Sequence, residues 1–300
     1  MDPAIIFFGL GIGVLVGMTG MGGASLMTPL LILVFGISPV TAIGTDIFYA
    51  AVTKTVGGYQ HLKLKTVHRG LAFWLACGSV PSAIVGVWVI ELLQRSYGED
   101  LDKLVLGMLG GALLVVGIAT LLRSVFLKDV IQERAAMHLY TRHIIAAVIT
   151  GMVTGFVIGL TSAGSGTLIA IALIAIFRLT PKRVVGTDIF HAAVLLWAAG
   201  IAHWVGGNVD FALAGNILVG SIPGVLIGGA LSVKAKTGFL RTALAVVLIA
   251  SGTTLVVKEG EPGVVIPAIA VAALIVGTLF AAQAITQGRA KRQIAAARAP

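Results

Sequence analysis

The sequence predicts an all-α polytopic membrane protein built from two inverted-topology repeats. Each repeat is a re-entrant helical hairpin plus three spans, and one extra C-terminal span follows them. Three observations predict this. First, the 300 residues are 58% apolar and 11% charged, with a mean hydropathy of +1.04. A soluble domain carries about a quarter charged residues, so this chain has too little polar surface to face water all round. Second, Gly44-Thr45-Asp46-Ile47-Phe48 returns as Gly186-Thr187-Asp188-Ile189-Phe190, 142 residues later, and the offset holds without a gap in both directions. Gly17/Gly159, Thr19/Thr161, Pro39/Pro181, His61/His203, Pro81/Pro223 and Gly86/Gly228 are identical pairs. A duplicated apolar chain is the signature of transporters built from structural repeats. Third, seventeen of the 21 Lys and Arg residues fall in five short clusters between apolar runs, as cytoplasmic loops do.

The apolar segments run at roughly 4–35, 40–60, 70–92, 104–122, 143–177, 183–204, 211–232, 240–257 and 263–285. A spanning helix needs about 20 residues, so the first and fifth are too long, and both are interrupted midway. They read as pairs of short helices, 4–18 with 25–35 and 143–159 with 166–177. Basic clusters flank 143–177 on both sides, which makes it a hairpin that enters and leaves on one side. An odd number of spans per half then inverts the second half. His61 precedes a basic loop and His203 an acidic one, Gly207-Asn208-Val209-Asp210, as inversion requires. The expected organisation is a first membrane repeat at 1–122, a cytosolic linker at 123–142, a second, inverted repeat at 143–258, and an extra span with a basic tail at 259–300. The N-terminus is expected outside and the C-terminus in the cytoplasm, giving seven full spans and two hairpins in a bacterial-type inner membrane. Met1-Asp2-Pro3 lacks a basic leader region, so the first apolar run is expected to belong to the mature fold.

The two breaks are the candidate substrate site. They read Met18-Thr19-Gly20-Met21-Gly22-Gly23-Ala24-Ser25 and Leu160-Thr161-Ser162-Ala163-Gly164-Ser165-Gly166-Thr167. Glycine supplies unusual backbone angles, and Ser and Thr add hydroxyls that can cap the next half-helix. Non-helical backbone at membrane depth occurs where it is buried or lines a cavity, and a helix N-terminus there suits an anion. Candidate binding residues are Thr19, Gly20, Gly22, Gly23, Ser25, Thr161, Ser162, Gly164, Ser165, Gly166 and Thr167. Helices opening at Ser38-Pro39 and Thr180-Pro181 follow. Asp46 and Asp188 lie seven residues into them and serve equally as structural hydrogen-bonding groups or as coupling carboxylates. Tyr49 and its counterpart His191 share the face of those acids, and His191 is the better titrating candidate. Lys54, the one basic residue inside an apolar run, can neutralise an anion, pair with Asp46 or snorkel to an interface. His61 and His203 read as interfacial helix-end residues, and Cys77 as a small buried hydrophobe.

No phosphate-binding loop, zinc-binding His pair or nucleophile elbow is present, so no enzyme, metal or cofactor is expected. The basic clusters lack interleaved aromatics, which disfavours nucleic acid. Expected partners are a small-molecule anion and membrane lipids, with glycine faces that would permit a homodimer.

The Gly-rich break followed by Leu-Met-Thr-Pro-Leu-Leu, then Gly-Ile-Ser-Pro and Gly-Thr-Asp, then the second copy with Gly-Gly-Asn-Val-Asp, resembles the sulfite exporter TauE/SafE family of permeases. The likeness covers about 9–258. It implies a secondary permease for sulfite, sulfonates or other sulfur-containing anions, and directs attention to Gly20–Ser25, Ser162–Thr167 and the Gly-Thr-Asp turns. At the position of Asp46 and Asp188 the family pattern often has Ser or another neutral residue. The resulting expectation is alternating access around the two tips, with Asp46, Tyr49, Asp188 or His191 carrying a coupling proton. The alternatives are a channel for small solutes and a cation transporter that uses the paired Asp residues.

Overall fold

The computed structural model describes residues 3–19, 24–97, 101–126, 139–232 and 237–259. They form ten helices: α1 (Pro3–Thr19), α2 (Ala24–Phe35), α3 (Pro39–Lys63), α4 (Arg69–Tyr97), α5 (Leu101–Phe126), α6 (Thr141–Thr161), α7 (Leu168–Ala175), α8 (Pro181–Val205), α9 (Phe211–Ser232) and α10 (Thr237–Glu259). The duplication is visible in where they begin: Pro39 and Pro181 open α3 and α8, and Arg69 and Phe211 open α4 and α9, each pair 142 residues apart. Proline fixes φ and lacks the N–H that a first helical turn leaves unpaired, so it starts both α3 and α8. Neither Ser38 nor Thr180, the residues before these prolines, makes a side-chain cap hydrogen bond. Ser38 Oγ donates instead to Thr41 Oγ1 at 2.9 Å.

Turn geometry repeats at the same offset. Gly36 (φ 65°) and Arg178 (φ 52°) end the helical hairpin arms in left-handed conformation. In both, the left-handed residue's own N–H donates to the carbonyl four positions back, Gly36 to Ile32 and Arg178 to Ile174, which is the αL helix ending. Lys65 (φ 56°) and Gly207 (φ 75°) match after α3 and α8; there Thr66 donates to His61 O and Asn208 to His203 O, five positions back, a Schellman ending.

Helix pairing follows glycine. α1 packs parallel to α9, and α4 parallel to α6. A Cβ added at Gly9 would meet the Ile217 carbonyl, and one at Gly151 the equivalent Leu75 carbonyl; Gly13 faces Ser221 as Gly155 faces Ser79. Backbones this close leave room for hydrogen only, the small-residue packing of membrane helices. The glycine faces expected to permit a second copy are thus largely used inside the chain, while Gly11 and Gly215 face open space. At the centre α3 and α8 cross antiparallel, Gly58 against Phe190 and Gly200 against Phe48, with Trp197 Nε1 donating to Thr55 Oγ1 at 2.8 Å. α5 and α10 also pair, Gly110 against Gly252 and the reverse. Adding or subtracting 142 exchanges the α1–α9 and α4–α6 seams and maps the α3–α8 and α5–α10 seams onto themselves.

Large apolar side chains face outward, among them Phe73, Trp88, Trp204, Leu226 and Val257, as a lipid-facing surface requires. Among the described residues, five helices (α4, α5, α6, α8 and α9) are long and apolar enough to cross a membrane, by length and composition. The expected spans also included α3, whose 25 residues carry Asp46, Lys54 and Lys63, and α10, whose apolar stretch is the shorter Leu244–Val257. The expected span 263–285 and the linker between the halves lie wholly or mostly outside the described residues. The two helices that flank the second break are also unequal. α6 has 21 residues and α7 eight, because helical geometry continues through Leu160-Thr161 and the chain breaks only where Ser162 turns left-handed.

Candidate functional site

The second break is an ordered, buried loop. Every residue from 158 to 173 is buried. α6 stops at Thr161, whose Oγ1 donates to the Val157 carbonyl at 2.7 Å. Ser162 (φ 57°), Gly164 (φ 97°) and Gly166 (φ 118°) hold the left-handed geometry that turns the chain back, and only glycine adopts it freely. α7 then starts from Thr167, whose side chain makes no cap hydrogen bond. Its N–H donates to Gly164 O at 3.2 Å. The expected hydroxyl cap is therefore absent, and the backbone closes the turn.

This loop lies along α3. Ser162 Oγ donates to Asp46 Oδ2 at 2.8 Å, and Thr28 Oγ1 of α2 donates to the same oxygen at 2.5 Å. Two turns further along α3, Lys54 Nζ donates to Ser165 O at 3.2 Å and Ser165 Oγ at 3.3 Å. Asp46 is fully buried and Lys54 is 6% exposed. Lys54 therefore neither snorkels nor pairs with Asp46. Its ammonium holds the break, while the carboxylate is held by two hydroxyls. Hydrogen bonds to a charged group contribute roughly 1.5–3 kcal/mol each, so each residue fixes the loop strongly. Asp46 Oδ1 remains buried without a hydrogen-bond partner.

α8 supplies the facing wall. Asp188 is 5% exposed and His191 fully buried, and both Asp188 and Asp46 act electrostatically on Lys54, Asp188 the more strongly. His191 Nε2 lies 2.8 Å from Ser79 Oγ of α4, and its Nδ1 is buried without a partner. Ser221 of α9 lies beside the Tyr49 hydroxyl in the equivalent place, without a hydrogen bond. His203 departs from the expected interfacial role: it is fully buried, with Nε2 3.1 Å from the Gly159 carbonyl of α6. His61 is half-buried, with Nδ1 2.8 Å from Thr66 Oγ1. Cys77, expected buried, is exposed beside the apolar groove between α4 and α6.

The structure thus brings Asp46, Tyr49 and Lys54 of α3, Asp188 and His191 of α8, and Ser162 and Ser165 of the second break into one buried polar cluster. Gly20, Gly22 and Gly23 lie outside the described residues, as do the side chains of Thr19 and Ser25. Sequence reading missed Thr28, Ser79 and Ser221. The serine pair was detectable, since the two are identical at the 142-residue offset; Thr28, opposite Ala170 in the other copy, carried no such signal. Among the described residues no group of three or more His, Cys, Asp or Glu could hold a metal ion. Chemically, the cluster offers one cation, two carboxylates and several hydroxyls buried among apolar helices, a setting for binding and moving an ion.

Comparison with known proteins agrees with this setting. The family model described as "Sulfite exporter TauE/SafE" matches residues 5–255. The "Probable membrane transporter protein YjnA" of Bacillus subtilis is 40% identical over 256 residues, 85% of this chain and all of that protein. YdhB of the same organism, named in the same words, is 28% identical over 72% of this chain and 84% of its own. "Sulfite exporter TauE/SafE family protein 2" of Arabidopsis thaliana is 35% identical over 87 residues, 29% of this chain and 19% of that protein. No solved structure matches.

Proposed function

The chain belongs to the sulfite exporter TauE/SafE family, and from that premise we propose a secondary transporter that carries small sulfur-containing anions, sulfite or an organosulfonate. Membership makes it a multi-pass membrane transporter and not an enzyme. The observation that carries the substrate reading is the second break lying along α3, with the buried ammonium of Lys54 hydrogen-bonded to Ser165. A buried cation beside hydroxyls and a half-helix N-terminus is a receptor for a tetrahedral or pyramidal oxyanion. Thr161, Ser162, Gly164, Ser165, Gly166 and Thr167 line one side of it. Thr19, Gly20, Gly22, Gly23 and Ser25 belong to the stretch that matches this break at the 142-residue offset.

In the mechanism, the anion takes over the Lys54 hydrogen bonds now made to Ser165. That frees the loop to shift against α3, so the site opens first to one side of the membrane and then to the other. The halves insert in opposite senses, which the antiparallel crossing of α3 and α8 supports. The N-terminus lies outside and the C-terminus in the cytoplasm of a bacterial inner membrane, with the basic tail on anionic lipid. Asp46, Tyr49, Asp188 and His191 are the groups available for coupling.

Purified protein in liposomes tests the reading. Uptake of radiolabelled sulfite should saturate with concentration and fall when unlabelled sulfonate is added. Flux that grows linearly would assign a channel, and flux of a cation alone would assign the carboxylates to cation binding.

A further inference from the structure

We infer that the transported species is a monoanion, and that each monoanion crosses with one proton held at Asp46, so that transport is electroneutral. This rests on the anion-transport reading above. Charge buried in the protein interior decides this: among the described residues, Lys54, Asp46 and Asp188 are the only Lys, Arg, Asp or Glu side chains that are buried. The first break and the segment 263–285 contain no charged residue at all, so no further charge of either sign enters the count.

The groups hydrogen-bonded to Asp46 are neutral hydroxyls. α2 gives Thr28, the second break gives Ser162 and Ser165, α9 gives Ser221, and α5 gives nothing titratable near it, its Asp102 and Lys103 being exposed at the start of the helix. α8 gives Asp188 and His191, and α4 reaches the cluster through Ser79. With Lys54 charged, one ionised carboxylate makes the empty site neutral. A bound monoanion restores neutrality only when that carboxylate takes up a proton. With His191 neutral, a dianion leaves the closed site negative even with both carboxylates protonated, and an uncompensated buried charge is costly.

Asp46 is the group built for the exchange. Oδ1 is buried without a hydrogen-bond partner in Asp46 and Asp188 alike, but Asp188 acts the more strongly on Lys54 and stays ionised opposite the ammonium in the empty site. Asp46 Oδ2 holds both hydroxyl donors, while its Oδ1 is buried with no hydrogen-bond partner. A proton can arrive at Oδ1 from one bulk phase and leave to the other without disturbing the contacts at Oδ2. Proton and anion then enter together and depart together, and the net charge moved is zero. Of the two protonation states of sulfite, the site selects hydrogen sulfite.

Proteoliposomes test this with two ions of fixed charge. Radiolabelled methanesulfonate should accumulate when a pH gradient is imposed, acid outside, and should ignore a membrane potential set with potassium and valinomycin. Sulfate should compete at least about tenfold less well than unlabelled methanesulfonate. In Asp46→Asn, exchange of labelled for unlabelled methanesulfonate should persist while accumulation driven by the pH gradient disappears; a merely structural role would remove both together. Methanesulfonate uptake that follows the potential, or sulfate that competes equally, overturns the inference and leaves the anion-transport reading standing. If neither methanesulfonate nor sulfite shows saturable uptake, the transport reading itself fails and takes the inference with it.

Discussion

Two glycine-to-alanine substitutions should move stability in opposite directions. Gly151 of α6 sits against α4: an added Cβ would fall on the Leu75 carbonyl oxygen, with Leu75 C at 3.0 Å and Ser79 N at 3.1 Å. All three are backbone atoms and cannot rotate aside. Carbon contacts relax at about 3.5–4.0 Å, so α4 and α6 must part by about 1 Å. Gly155 and Gly159 lie on the same seam against Ser79 and Ala83, and the separation loosens their contacts too. Overpacking costs about 1–3 kcal/mol, against which alanine returns about 0.8–1.0 kcal/mol of helix propensity. Gly151→Ala should therefore lose up to about 2 kcal/mol. Gly11 of α1 is exposed with nothing within 4 Å of its added Cβ, so Gly11→Ala keeps the propensity gain and should be stabilised by about 0.8–1.0 kcal/mol. At roughly 2–4 °C per kcal/mol, the Tm of the two variants in one detergent should differ by several degrees. Equal shifts, or a stabilised Gly151→Ala, would refute the close parallel packing of α4 on α6.

The remaining predictions concern charge, turns and orientation. Lys54→Gln keeps a donor for Ser165 but removes the charge; at about 4 Å and an effective dielectric near 20 that charge contributes up to about 4 kcal/mol. Sulfite should then bind at least about tenfold more weakly by equilibrium binding, with the Tm little changed; unaltered affinity would leave Lys54 as a loop clamp alone. Lys65 is exposed in the left-handed region, where its equivalent is Gly207. Lys65→Gly should gain about 1 kcal/mol by relieving that strain, read as a higher Tm. A reporter enzyme fused after Asn208 should be active on the outer side of the membrane; cytoplasmic activity would reverse the orientation of the second half.

Much of the architecture was legible because the chain repeats itself. The offset that pairs Gly44-Thr45-Asp46 with Gly186-Thr187-Asp188 also pairs their contacts. Thr45 Oγ1 receives the Asp210 N–H at 3.0 Å, and Thr187 Oγ1 receives the His68 N–H at 2.9 Å. The second break was legible from its Gly and Ser content alone. What it touches was not. Lys54 and Ser165 are 111 residues apart, and Ser162 and Asp46 116, so no local pattern links them. The length of α6 was misjudged because Leu160-Thr161 reads as part of the break, although a threonine bonded back to Val157 O sits well in a helical turn. His203 was misplaced for a related reason. A polar residue at a helix end suggests an interface, yet a neighbouring helix offers it the Gly159 carbonyl.

The central claim is that a small anion sits at the second break beside Lys54 and is reached alternately from both sides. Ser165→Cys, in a Cys77→Ser background that removes the exposed native thiol, tests it directly with a membrane-impermeant sulfonate-bearing thiol reagent. The account predicts modification from either face of the membrane, slowed by saturating sulfite and unaffected by an equal concentration of chloride. Modification from one face only, or at a rate that sulfite leaves unchanged, would contradict it.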